Sequence, residues 1–201
     1  MRGEVPSRAF AMRAQCAQAD APPGEKLLRR RKSGALFEMI KKIEVERFSI
    51  TSAKPFDQVV AAVDAAIGHP DVAEFGRLSR DARSFAELKS AVEKGLSEVG
   101  LMLFLKLDHG AVLRRESGRD APNIVRFILG NPLIMKEMAK HVADAGSYAP
   151  VTVLVDERAD GVHLSYDRMA SFLAPYGNAA AMEIARELDK KVENVLQQAA
   201  G

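Results

Sequence analysis

LMLFLKLDHGAVLRR, residues Leu101–Arg115, and IVRFILGNPLIMKEM, residues Ile124–Met138, share one grammar: an apolar run, a polar junction and a helix start. Strand-like residues end at a capping side chain in both, Asp108 in the first and Asn131 in the second. Strand then helix, repeated at short spacing, predicts a parallel crossover. Such a crossover sets Asp108, His109 and Asn131 along one edge of one sheet, the edge where ligands of open α/β sheets sit.

The flanking sequence continues the alternation. Ile43 to Ser52 reads as a strand, with a change of phase near Glu46-Arg47 that predicts a bulge. A helix follows from Pro55, with Phe56, Val59, Val60, Val63 and Ile67 as its apolar stripe. Residues 71–83 read as an irregular link. Ser84 and Glu87 have capping-box spacing for the next helix, which stops at Gly100. The strand Leu101–Leu107 is apolar on both faces, which predicts a central position in the sheet. Asn131 caps a helix from Pro132 to about Ala145, and Val151–Asp156 and Val162–Tyr166 form a hairpin through Asp160-Gly161. Asp167 is placed to cap a short helix, and a long helix runs from Asn178 to Gln198 with Ala181, Ala185, Leu188, Val192 and Val195 on its stripe. The fold class is α+β: a mixed five-stranded sheet layered with helices, in the order β-α-α-β-α-β-α-β-β-α-α.

Length and composition bound the function. At 201 residues, 47% of them hydrophobic, the chain suits one domain with a substantial core. No apolar run approaches the roughly 20 residues that span a bilayer, and no secretory leader is evident, so a cytoplasmic location without membrane contact is expected. Cys16 is the only cysteine, so the patterned region has no thiol chemistry and no thiolate metal site.

Charge is divided unevenly. Residues 1–42 carry 10 Lys/Arg against 4 Asp/Glu, whereas residues 43–201 carry 19 against 23. The basic character thus belongs to residues 1–38, which lack periodicity and include Ala21-Pro22-Pro23-Gly24; they read as a disordered basic tail. Met39, directly before the first strand, is a candidate natural start, and a native basic arm is the alternative; residues 39–201 form the single α+β domain. The dense cluster Arg29–Lys32 has no aromatic interleaving, so nucleic acid is not an expected partner.

Each candidate site residue has a structural and a functional reading. Asp108 is explained by capping alone, but with His109 it also forms an acid–base or ligand-anchoring pair at a helix start. Gly130-Asn131-Pro132 is a strand-to-helix turn whose free N–H groups suit an anion. Arg126 shares a face with Ile124 and Ile128, where it meets either an acidic ligand group or a carboxylate of a neighbouring strand. His163, with Asp156 and Glu157, joins the rim if the hairpin turn lies at the Asp108 edge. No two histidines have metal-ligand spacing and no nucleotide fingerprint is present, so neither metal nor cofactor is predicted.

Three marks together resemble the bacterial family called domain of unknown function 302: Leu107-Asp108-His109, Ile128-Leu129-Gly130-Asn131-Pro132, and the hairpin from Pro150 to Tyr166. Their order and spacing cover about residues 43–198. The resemblance implies a compact α+β domain, often a dimer, with no established activity. Many members carry a longer Gly/Thr-containing loop after the Gly-Asn-Pro and a Leu-Pro pair before the hairpin. Here Pro132 runs straight into Leu133-Ile134-Met135, and Tyr148-Ala149-Pro150 precedes the hairpin.

The functional expectation is non-catalytic binding of a small ligand at the strand C-terminal edge, lined by Asp108, His109, Asn131, Arg126 and His163. The alternative is a homodimeric interaction module. An acid–base enzyme using His109 and Asp108 ranks below both and requires a cavity that excludes water.

Overall fold

Tyr166, near the end of its strand, buries a hydroxyl that has no water to meet, and that constraint organises the helical layer. The computed structural model describes residues 39–118 and 121–201; the tail readings fall on residues 1–38, outside this range. Ile43–Gly201 forms one compact unit. Its strands are β1 (Arg47–Ser52), β2 (Met102–Asp108), β3 (Ile124–Gly130), β4 (Val151–Arg158) and β5 (Gly161–Asp167). Its helices are α1 (Phe56–Ala66), α2 (Val72–Asp81), α3 (Phe85–Gly95), α4 (His109–Ser117), α5 (Pro132–Ala139), α6 (Ala145–Tyr148), α7 (Met169–Leu173) and α8 (Ala179–Ala200).

The α+β class and the five strands stand, and the strand directions correct the expected topology. The sheet order is β1-β5-β4-β3-β2 and every strand pair is antiparallel. A parallel crossover must carry the chain back along the whole strand. The nine residues of α4 rise only about 13 Å, against about 23 Å for a seven-residue strand. α4 therefore stays at the end of β2 and delivers β3 from that same end. Gly110 makes the close turn possible: a Cβ there would lie 2.8 Å from Ile124 N and 2.9 Å from Pro122 O.

β2 lies at the sheet edge, not at its centre. Its double apolarity has another cause. Met102 is fully buried near Gly95 of α3, and Phe104 packs edge-to-face on Phe75 of α2 at 6.4 Å. Gly68 also closes part of the free edge, its carbonyl accepting from Leu103 N at 2.8 Å. The segment read as an irregular link holds α2, capped by Asp71, whose side chain accepts from Glu74 N.

The core lies on one face of the sheet. Val125, Phe127 and Leu129 of β3, Val153 and Val155 of β4, and Leu164 and Tyr166 of β5 point into it, and α1 meets them with Val59 and Val63. α8 contributes its expected stripe of Ala181, Ala185, Leu188, Val192 and Val195. Burying these aliphatic side chains stabilises by about 1.5–3 kcal/mol each before entropy is counted.

Asp189 is buried beside that stripe, where an unpaired carboxylate would be costly. Tyr166 Oη donates to its Oδ1 at 2.6 Å, Met169 N to the same oxygen at 2.7 Å, and Ala170 N to Oδ2 at 3.1 Å. The carboxylate of α8 thus caps α7 from a distance. Asp167, the expected cap, instead takes a bidentate bond from Arg47 across the β1–β5 pair.

Burial raises the Asp189 carboxyl above its ordinary range, against the opposing pull of these hydrogen bonds. The folded protein then holds a proton that the unfolded chain has released, so stability falls as pH rises from about 4 through the folded pKa. Denaturant unfolding from pH 4 to 7 should show that decline, and Asp189→Asn should flatten it. Asp189→Ala, which leaves two amides and a phenol unpaired, should cost about 3 kcal/mol.

Candidate functional site

The antiparallel pairing of β2 with β3 separates the predicted rim. Asp108 pairs with Val125 at one end and Met102 with Gly130 at the other. Asp108 and Asn131 are therefore about 20 Å apart, the length of the strands, and cannot line one site.

At the Asp108 end the side chains are already engaged. Asp108 Oδ1 accepts from Ala111 N at 2.8 Å, and its Oδ2 from Arg114 Nη2 at 3.0 Å. Arg114 Nη1 donates to Asn123 Oδ1 at 2.7 Å, and Asn123 Nδ2 to Glu157 Oε2 at 2.8 Å. This chain ties α4 to β3 and β4. His109 is exposed on the first turn of α4. An acid–base pair needs an enclosing cavity, and His109 has open solvent instead.

The hairpin turn reaches this same end, so His163 shares it with Asp108. His163 Nε2 lies 2.8 Å from Asp160 Oδ1, and its Nδ1 is 3.4 Å from Thr51 Oγ1. The histidine holds the Asp160 carboxyl below its usual range. Asp156 is bound by Arg158, whose pKa it raises. Gly161 has φ +136 and a Cβ there would sit 2.7 Å from the Ser52 carbonyl, so the glycine allows β1 to close on the turn.

At the opposite end Asn131 is spent on structure. Its Oδ1 accepts from Leu133 N at 2.8 Å and its Nδ2 donates to the Gly100 carbonyl at 2.9 Å. The side chain caps α5 and anchors the turn that enters β2.

Arg126 is the candidate without a structural partner of matching charge. It points to the sheet face opposite the core, and its register neighbours are Leu107 on β2 and Leu154 on β4. With Ile124 and Ile128 two residues away along β3, four aliphatic side chains surround it. The carboxylate of a neighbouring strand, one of its two expected partners, is absent from these positions, and Asp156, opposite Ile124 on β4, is taken by Arg158. Nη2 donates to Thr152 Oγ1 at 3.0 Å, and Nε is buried with no hydrogen-bond partner. Leu107 of this ring is legible in the alternation of β2 only once that strand is known to lie at an edge.

A groove of about 380 Å³ lies between α3, α5 and α8, lined by Phe85, Leu133, Ile134 and Ile184. Lys136 sits over the Phe85 ring at 4.7 Å and pairs with Glu137. None of the predicted site residues lines it. Among the described residues no cluster of His, Cys, Asp or Glu is arranged to hold a metal, and no helix is long and apolar enough to cross a membrane.

An antiparallel sheet with α1 and α8 packed on its core face, opened by the Leu107-Asp108-His109 and Gly130-Asn131-Pro132 junctions, defines the class. The family described as "Domain of unknown function DUF302" matches residues 77–199, and the chain belongs to that family. Among solved structures, the fold is similar to the crystal structure of an uncharacterized conserved DUF302 protein from Bacillus stearothermophilus. The TM-score is 0.54 and the identity 10%, over 76% of this chain and 97% of that one. No curated protein matches.

Removing the caps should separate structure from function. Asp108→Ala and Asn131→Ala should each cost about 1 kcal/mol in urea unfolding. His109→Ala should stay within about 0.5 kcal/mol of the parent.

Proposed function

We propose that this domain is a non-catalytic binding protein whose site is the open face of the sheet around Arg126, and that it takes an anionic group there. The observation that carries this reading is the orphaned Nε of Arg126, in a ring of aliphatic side chains with no carboxylate opposite. A half-buried guanidinium with an unmet donor is costly to the free protein. Residues that lower stability without local compensation mark binding sites, where a ligand supplies the missing counter-charge. The site is thus drawn from the strand ends to the middle of the face, and of the five candidates Arg126 is its centre.

Self-association is the second reading, favoured by Leu105, which is 47% exposed on the same face. A two-fold contact there is self-complementary, so each Arg126 needs an acidic partner from the other copy.

Arg126→Met tests the first reading. In anion-free buffer the variant should gain about 1 kcal/mol, because the orphaned donor is gone. Acetate and formate should raise the melting temperature of the parent and leave the variant unmoved. A variant that is less stable, with an undiminished response to both anions, would refute the proposal.

A further inference from the structure

The open face is divided along the strand register, and the division describes a ligand. Over β2, β3 and β4 it presents Leu105, Leu107, Ile124, Ile128 and Leu154 around Arg126, with Thr152 and Asp156 of β4 beside Ile128 and Ile124. Over β5 and β1 it turns polar, with His163, Ser165, Asp167, Arg47, Ser49 and Thr51. The apolar half crosses three strands, about 10 Å, and reaches the edge at the exposed Leu105.

The charges on this face cancel except at one point. Asp167 is paired with Arg47 and Asp156 with Arg158. Of the three arginines on this face, Arg47, Arg126 and Arg158, only Arg126 has no ion pair, so the β2–β4 half carries an uncompensated positive charge among aliphatic side chains. A planar guanidinium presents its paired Nη groups to the two oxygens of a carboxylate. A polyanion would bring charge that nothing here offsets. A second copy would bring another Arg126 toward this one, a like-charge contact that costs affinity.

We infer that the occupant is a free amphiphile with one carboxylate head, held by Arg126, and a linear apolar chain lying across Leu107 toward Leu105. This rests on the reading of Arg126 as an anion site, and it adds that the ligand's body is apolar and that its head carries one charge. The aliphatic ring then both shields the ion pair from water and contributes burial of its own.

Calorimetric titration of the full chain with octanoate, acetate and octan-1-ol tests it. Octanoate should bind at least tenfold tighter than acetate and at least tenfold tighter than octan-1-ol. Arg126→Gln should lose at least tenfold for octanoate and leave octan-1-ol unchanged. Leu107→Asp, which sets a carboxylate beside Arg126, should abolish octanoate binding while the circular dichroism spectrum stays that of the parent.

Acetate binding as tightly as octanoate, with loss in Arg126→Gln, would overturn the amphiphile and keep the anion site. Octanoate binding equally to the parent and Arg126→Gln would overturn both, as would an absence of binding by octanoate and acetate alike. Binding only to phosphatidylglycerol vesicles, with no affinity for monomeric octanoate, would overturn the free amphiphile in favour of a membrane surface.

Discussion

The carboxylate of Asp189 is the contact on which the helical layer depends. It comes from α8, it is buried, and its hydrogen bonds reach β5 through Tyr166 and the start of α7 through Met169 and Ala170. α7 is only five residues long and has no side-chain cap of its own. A helix so short has unmet N–H groups at its start that local sequence does not satisfy. Asp189 meets them and, through the same oxygens, fixes the long helix against the sheet. Alanines 181 and 185 keep that helix slim where it packs. The polar bond sets the register, and the surrounding aliphatic burial supplies most of the energy.

One consequence of that layer is asymmetry. Helices α1 and α8 bury one face of an antiparallel sheet, an arrangement that such sheets tolerate because their other face can meet water. Here the other face is not uniformly polar. Its β5–β1 half carries paired charges and hydroxyls, whereas its β2–β4 half carries leucines and isoleucines around Arg126. Aliphatic side chains alone on an open face would be a weak sign. A guanidinium among them, with a buried donor and no counterion, is a stronger one, because structural arginines in such surroundings are normally paired.

The polar ends of the sheet carry a different message. Asp108, Asn131 and Arg114 use nearly all their hydrogen-bonding capacity on backbone amides and neighbouring side chains. These residues also supply the chain's most recognisable motifs. The family resemblance therefore rests largely on groups that shape turns: a cap at each strand-to-helix junction, and a glycine where backbones approach closely at Gly161. A motif of this kind identifies the fold, while the chemistry of the domain lies elsewhere on it.

Local interactions were legible in the sequence because the signals act over a few residues. The caps at Ser84, Asp108 and Asn131 all accept the bonds their spacing implies, and the stripe of α8 is buried as its period predicts. α2 escaped because its apolar face is thin, made of Val72, Phe75 and Leu78 among charged residues, and buries no residue fully. Strand direction, the edge position of β2, the separation of Asp108 from Asn131 and the remote cap by Asp189 came only with the tertiary structure. Each depends on pairing between segments distant along the chain. The strand-to-helix grammar of residues 101–138 suits a parallel or an antiparallel return equally, and only the packing of α4 against the start of β3 decides between them.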